Sequence, residues 1–179
     1  MRCFIAIEIS EKAKEELLRV QKEFKGIIEG KFVEKENFHL TLKFLGEVSN
    51  YEINQLKQEL RKIRFNKFIA KLGSIGYFTP SFARVLWVSL EPKDNFVELH
   101  EKVESLLRNF NIKKEKRKFM PHVTIARIKN IKKKEKFFEK IEKIKIEPID
   151  FEISSFVLNK SVLTEKGPIY EKLFEFYAV

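Results

Sequence analysis

A four-residue pattern of alternating polar and apolar side chains occurs twice in this chain, 83 positions apart. It reads HLTL at 39–42 and HVTI at 122–125, and these copies use two of the three histidines in the sequence. Because side chains of a β-strand alternate between its two faces, each copy predicts a strand with histidine and threonine on one face. A chain that carries such a strand twice is constrained to fold as two similar halves.

The same shift of 83 residues relates the segments around the two copies. It carries a helix after Ser10 onto a helix after Lys93, and it carries Phe68 onto Phe151, where the next strand begins in each half. The sequence therefore predicts a single bilobal domain over 1–179, formed by an internal duplication. The simplest arrangement places the halves about a pseudo-twofold axis, with both polar strand faces opposite each other across one cleft.

Helices are predicted where apolar residues recur every three or four positions. Ser10 and Ser49 are expected to cap the first two helices, the second of them within a capping box. The first helix is expected to end at Gly30. Asp94 is the expected cap of a third helix, and apolar residues within 138–144 mark a fourth.

Strands are predicted where apolar residues alternate with polar ones or form short runs. Gly73 and Gly76 indicate a bulge or bend in one strand, and Thr79-Pro80-Ser81 indicates a turn. The pattern predicts an α+β fold of two pseudo-symmetric lobes around a central cleft, each a mainly antiparallel sheet with helices on its outer face. The predicted strands cover 4–9, 38–48, 68–78, 84–90, 119–128, 149–163 and 169–178.

Charge and composition narrow the class of partner. The formal net charge is +10 and the sequence pI is about 9.5, a balance that favours RNA or anionic nucleotides. The alternative is a lysine-rich surface that is only solvated. Cys3 is the sole cysteine, so neither an internal disulfide nor a cysteine-based zinc cluster is expected. The apolar start is short and contains Glu8, so we expect a cytoplasmic protein without a membrane partner.

Two histidines across a cleft suit in-line attack at phosphorus. A neutral imidazole accepts a proton from water while an imidazolium donates one to the departing ribose oxygen, because the pKa of histidine is normally about 6.5. Threonine hydroxyls can hold the phosphate oxygens. This chemistry requires no metal and no cofactor. One rival is a metal pair, although zinc usually takes three or four protein ligands; another is a pair of merely hydrogen-bonded strand histidines.

Five further features are candidates, and four of them have two interpretations each. Because side chains alternate along the strand, Lys43 is expected on the same face as His39, either as a phosphate ligand or as a lysine at the rim. Arg127 has the opposite parity and reaches phosphate only if its strand kinks. Phe78 is placed either to stack on a base or to pack in the core. The basic loop Lys113–Lys118 either guides RNA or is a solvated run, and His100 is an ordinary half-buried helix histidine.

The extended motifs 38–46 (FHLTLKFLG) and 121–127 (PHVTIAR) resemble the signature of the two-histidine phosphoesterase superfamily. The similarity is greatest to the RNA 2′,3′-cyclic phosphodiesterase group, also called 2′-5′ RNA ligases, and it extends over nearly the whole chain. The resemblance implies two pseudo-symmetric α+β lobes around a basic cleft. It also implies hydrolysis of a terminal 2′,3′-cyclic phosphate to a 2′-phosphate. With a 5′-hydroxyl in place of water, the same site can join two RNA ends in a reversible 2′-5′ ligation.

The resemblance also assigns roles to residues. It implies that His39 is the proton donor to the leaving 3′-oxygen, that His122 is the proton acceptor from water, and that Thr41 and Thr124 bind the phosphate. The expected partner is RNA ending in a 2′,3′-cyclic phosphate, tRNA fragments among the candidates, or nucleotides, acted on by a monomer. The alternatives are an RNA- or nucleotide-binding module with little turnover, and a structural or interaction protein.

Overall fold

Within residues 1–78 and 84–179, which the computed structural model describes, the chain forms four α-helices and nine β-strands. The predicted turn at Thr79-Pro80-Ser81 lies outside these ranges. The helices are α1 (Glu11–Lys22), α2 (Asn50–Leu60), α3 (Lys93–Leu107) and α4 (Lys134–Lys143), with a 3-10 turn at Lys35–Asn37. The strands are β1 (Arg2–Glu8), β2 (Ile28–Phe32), β3 (His39–Glu47), β4 (Phe68–Phe78), β5 (Arg84–Glu91), β6 (His122–Ile131), β7 (Asp150–Ile153), β8 (Ser155–Thr164) and β9 (Gly167–Tyr177).

The strands form one curled antiparallel sheet in the order β7-β4-β5-β6-β3-β1-β8-β9, and β2 also pairs with β6. The two motif strands β3 and β6 are neighbours at its centre, where Leu40 pairs with Val123. Five strands (β7, β4, β5, β6 and β2) lie on one side of this junction and four (β3, β1, β8 and β9) on the other, which gives two lobes. The predicted α+β class with a mainly antiparallel sheet is therefore confirmed.

The two lobes exchange strands between the halves of the chain. Strands β8 and β9 come late in the sequence, yet they extend the sheet from β1. Strand β4 comes from the first half, yet it pairs with β5 and β7 of the second. Neither half of the sequence therefore contains a complete lobe, and the motif strands are held in a sheet to which both halves contribute.

The helix starts follow the expected capping chemistry at two of the predicted positions. The Ala13 amide donates to the Ser10 hydroxyl at 3.2 Å, and Ser49 and Glu52 form a reciprocal capping box before α2. Asp94 does not cap α3; it lies in the first turn, because the helix already begins after Pro92. No helix in the described part of the chain is long and apolar enough to span a membrane.

The first helix is shorter than predicted. It ends at Lys22, and Gly30 lies in β2 instead of ending the helix. The helical spacing of apolar residues continues through Phe24 and Ile27 in the sequence. Both side chains are buried in the core, but they belong to turns that follow the helix. Gly30 has a packing reason, since a Cβ at this position would overlap the backbone carbonyl of Arg127 on β6.

The predicted irregularity in β4 is confirmed. The pairing between β4 and β5 shifts register between Leu72 and Ile75, which is where Gly73 lies. A Cβ on Gly76 would overlap the ring of Trp87 on the neighbouring strand. These two glycines let β4 lie close against β5, the strand beside the second motif.

Candidate active site

Both motif histidines are held by a backbone carbonyl two residues before them. The Nδ1 atom of His39 lies 2.6 Å from the Asn37 carbonyl oxygen, and that of His122 lies 2.6 Å from the Met120 carbonyl oxygen. A carbonyl oxygen only accepts hydrogen bonds, so Nδ1 carries the hydrogen in each ring. The tautomer is thereby fixed, and Nε2 of each histidine is left for proton transfer.

The threonine of the first motif contacts the second ring nitrogen, Nε2, of its histidine. The Nε2 atom of His39 lies 2.8 Å from the Thr41 hydroxyl oxygen. A neutral His39 accepts the hydroxyl proton here, and an imidazolium donates to the same oxygen. Thr124 is placed two residues after His122 on β6, and both threonines line the cleft described below.

Each motif histidine is flanked by two aromatic rings from other strands. Aromatic walls exclude water from the imidazole while leaving its edge free for hydrogen bonds. The flanking rings, by centroid distance, are Phe4 at 5.0 Å and Tyr170 at 5.2 Å from His39, and Phe78 at 5.3 Å and Trp87 at 6.1 Å from His122.

This environment disfavours the charged form of both imidazoles. Burial lowers the pKa of His39 to about 4, with Lys14 and His122 acting in the same direction and the Asn37 carbonyl opposing them. Burial also lowers the pKa of His122, against the hydrogen bond to Met120. Both rings are therefore neutral at pH 7 in the free protein.

A β-bulge interrupts each motif strand directly after its threonine. In β3, Leu42 is the extra residue relative to β1, and in β6, Ile125 is the extra residue relative to β5. One extra residue reverses the alternation of side chains beyond it. The next outward positions are therefore Phe44 and Arg127, which both line the cleft.

The bulge makes one prediction wrong. Lys43 does not share the histidine face: its side chain is 1% exposed, and its Nζ lies 2.7 Å from a carboxylate oxygen of Glu104. The same Nζ donates to the Lys113 carbonyl at 3.0 Å. Counting alternate residues through the bulge placed Lys43 on the wrong face of the strand. The neighbouring Phe44, which is 58% exposed, takes the position that was expected for Lys43.

Arg127, Phe78 and His100 were the other single-residue candidates. Arg127 reaches the cleft because the bulge supplies the kink that its parity required. Phe78 flanks His122 and also contacts Trp87 at 5.2 Å. His100 is half-buried, as expected; its Nδ1–H donates to the Leu42 carbonyl at 2.9 Å.

The motif residues border one cleft of about 260 Å³. Three cations line it, and no ion pair among the described residues involves them. Sequence reasoning missed two of the three, because one lies at the start of β1 and the other in the unpredicted strand β2. The cleft-lining groups named here are His39, His122, Thr41, Thr124, Phe44, Arg127, Arg2, Lys31 and Tyr170.

The donor set of the described residues does not form a metal cluster. No group of three or more His, Cys, Asp or Glu side chains within 1–78 and 84–179 is arranged to hold a metal ion. What this cleft offers an anion is two imidazoles, two hydroxyls and cationic side chains. That set suits a phosphate group and proton transfer on either side of it.

Comparisons with known proteins agree with this geometry. The LigT-like phosphoesterase family model matches residues 7–87 and again 88–170. An RNA 2′,3′-cyclic phosphodiesterase of Methanocaldococcus jannaschii is 42% identical, over 98% of this chain and 99% of that protein. One of Thermotoga maritima is 36% identical, over 98% and 94%.

Solved structures share the fold. A crystal structure of a Thermus thermophilus protein has a TM-score of 0.76 and 28% identity, covering 99% of this chain and 97% of the other. Escherichia coli LigT complexed with 3′-AMP has a TM-score of 0.81 and 24% identity, covering 99% and 97%. The double match of the family model and the identity to full-length relatives confirm the resemblance seen in the two motifs. The chain belongs to the LigT-like phosphoesterase family.

Proposed function

We propose that this protein is an RNA 2′,3′-cyclic phosphodiesterase that hydrolyses a terminal cyclic phosphate and leaves a 2′-phosphate. The observation that carries the proposal is the pair of histidines in one cleft, each with Nδ1–H fixed by a carbonyl, which leaves Nε2 for proton transfer. One relative that carries this name is 42% identical over 98% of the chain.

The proposed reaction is an in-line displacement at phosphorus. Nε2 of His122 accepts a proton from water as its oxygen bonds to phosphorus. The bond from phosphorus to the ribose 3′-oxygen breaks, and the imidazolium of His39 donates its Nε2 proton to that oxygen. Thr41, Thr124 and Arg127 bind the non-bridging oxygens, where negative charge grows in the transition state. With a 5′-hydroxyl in place of water, the same proton transfers join two RNA ends.

The bound phosphate has to raise the pKa of His39, so that this ring can act as the proton donor. Because the pKa of His39 is about 4 in the free protein, this ring is neutral at pH 7. An anion beside Nε2 favours the imidazolium, so substrate binding raises the pKa and takes up a proton. The histidine whose Nε2 lies nearer the leaving oxygen then acts as the proton donor, and the other acts as the proton acceptor.

Product binding should therefore change the titration of His39. We expect the imidazole to titrate near pH 4 in the free protein and at a clearly higher pH with a saturating nucleoside 2′-phosphate, because the anion offsets the desolvation of the imidazolium. Histidine ring resonances followed by NMR against pH measure both states. If the pKa of His39 is unchanged with bound product, the proposal that the bound anion makes this ring the proton donor is contradicted.

The direct test of the proposed function uses an oligonucleotide that ends in a 2′,3′-cyclic phosphate. The expected product is the 2′-phosphate, resolved from the 3′-phosphate by chromatography or phosphorus NMR. A matched oligonucleotide with a 3′-hydroxyl end controls for contaminating nucleases. Formation of the 3′-phosphate, or no turnover of the cyclic end, would contradict the proposal.

Hydrolysis should not depend on a metal ion. The two imidazoles account for both proton transfers, so we expect the rate after dialysis against EDTA to equal that of the untreated protein. Loss of activity with EDTA and its recovery with zinc or manganese would contradict this prediction.

We also propose the finer features expected from the sequence. The motif strands, the helices that follow them and the strands beyond correspond at a shift of 83 residues, which supports an internal duplication within one bilobal domain. Cytoplasmic RNA ends, tRNA fragments among them, suit the net charge of +10 as substrates for a monomer. Gel filtration with light scattering tests the monomer.

A further inference from the structure

A second cavity of about 710 Å³ opens from the cleft on the His122 side. We call it the lateral groove; it shares Thr41, Phe44, His122, Thr124 and Arg127 with the cleft but is not lined by His39. The rest of its lining is mainly aromatic and basic: Phe78, Phe119, Lys93, Arg117 and Lys118.

The lining of the lateral groove has the chemistry of a single-stranded nucleic acid site. Aromatic faces stack on bases and cations follow the phosphates. Phe44 is 58% exposed at the border with the cleft. Arg117 and Lys118 are exposed on the wall, and neither forms an ion pair with any residue in the described part of the chain. Glu115 is an acidic residue on the same wall.

Buried contacts hold the basic wall in place. The Nζ atom of Lys43 pairs with Glu104 and donates to the Lys113 carbonyl, so it ties the start of the loop to β3. At the other end of the loop, the Phe119 ring stacks on His100 with 4.0 Å between centroids and an interplanar angle of 4°. These contacts preform the groove.

In-line geometry assigns a substrate to each side of the phosphorus. The nucleophile enters opposite the leaving oxygen. With His39 on the 3′-oxygen, the ribose of the cyclic phosphate lies on the cleft side. With His122 as the proton acceptor, the nucleophile enters from the side of the lateral groove. Water needs no such groove, whereas an RNA strand does.

We infer that the lateral groove binds the RNA strand that carries the attacking 5′-hydroxyl during ligation. This inference rests on the proposed function and its assignment of the two histidines. In the step, the 5′-oxygen bonds to phosphorus and gives its proton to Nε2 of His122. The bond from phosphorus to the 3′-oxygen breaks, and His39 protonates that oxygen. The products are a 2′-5′ phosphodiester and a free 3′-hydroxyl, with no co-reactant.

The experiment compares the wild type with R117Q/K118Q and with K132Q/K133Q, which removes two exposed positive charges outside the groove lining. A nucleoside 2′,3′-cyclic phosphate is the donor, and a 5′-hydroxyl oligonucleotide is varied as acceptor. Ligation and hydrolysis are measured together. We expect R117Q/K118Q to lower ligation about tenfold or more at low acceptor concentration, as for lost charged contacts to phosphate. Hydrolysis of the mononucleotide should be unchanged, and K132Q/K133Q should behave like the wild type.

Other outcomes would overturn the inference. If R117Q/K118Q instead weakens hydrolysis of a cyclic-phosphate oligonucleotide relative to the mononucleotide, with the acceptor dependence unchanged, the groove holds the donor strand. If the wild type hydrolyses the mononucleotide but never ligates, the groove does not hold an acceptor. Absence of wild-type hydrolysis would instead contradict the proposed function itself, together with the inference built on it.

Discussion

Replacing either motif histidine should cost roughly 10²–10⁴-fold in the rate of cyclic phosphate hydrolysis, the usual contribution of one general acid or base. We expect this of His39→Ala and of His122→Ala, because the proposed mechanism gives one of the two proton transfers to each ring. The measurement is kcat for a nucleoside 2′,3′-cyclic phosphate at several pH values. The double variant should lose little more than the worse single variant if the two act as one unit.

The control for these variants is folding. Both rings are partly exposed at the cleft, so the variants should keep the cooperative thermal unfolding of the wild type. His39 packs against Phe4 and Tyr170, and a modest shift in melting temperature is expected there. Wild-type turnover in either folded variant would show that the paired mechanism is wrong.

Arg127→Gln should have the next largest effect. A hydrogen bond from a charged group contributes about 1.5–3 kcal/mol, which corresponds to roughly 10–100-fold in kcat/KM if the contact is made in the transition state. The matched control is Arg61→Gln, which removes the same charge from an exposed position at the end of α2. An equal effect of the two substitutions would mean that Arg127 acts only through the net charge.

The motif strands and their neighbours were largely predictable from the sequence because local patterns determine them. The repeated HxTx phrase predicted two strands with histidine and threonine on one face, and serine capping predicted the starts of α1 and α2. The family was also predictable, since both motifs are short and contiguous. These features depend on side-chain alternation and capping chemistry, which act over only a few residues.

The positions beyond each bulge were not predictable from alternation. A bulge is set by pairing with a neighbouring strand, so Leu42 and Ile125 give no local signal that they are extra residues. Lys43 was therefore placed on the wrong face, and the position of Phe44 at the cleft was not foreseen. The recurrence of the bulge at the same place in both halves turns an aromatic ring and a guanidinium toward the cleft.

Groups supplied by other strands were missed for a related reason. Lys31 lies on β2. This strand was not predicted, because the spacing of Phe24 and Ile27 indicated that the first helix continued. Arg2 lines the cleft from β1, which pairs with β3, whereas Tyr170 lies on β9 and reaches His39 only through the strand exchange between lobes. Long-range pairing therefore decides which cations and aromatic rings surround the two imidazoles.

The assignment of acid and base is tested most directly by a substrate whose leaving group needs no proton. Replacing the bridging 3′-oxygen of the cyclic phosphate by sulfur supplies such a group, because a thiol is far more acidic than an alcohol and departs as the thiolate. We expect His39→Ala to recover most of its lost rate on this substrate, while His122→Ala, which still lacks the base for water, stays as slow as before. Recovery of the His122 variant in its place, or of neither variant, would contradict paired acid-base catalysis with these roles.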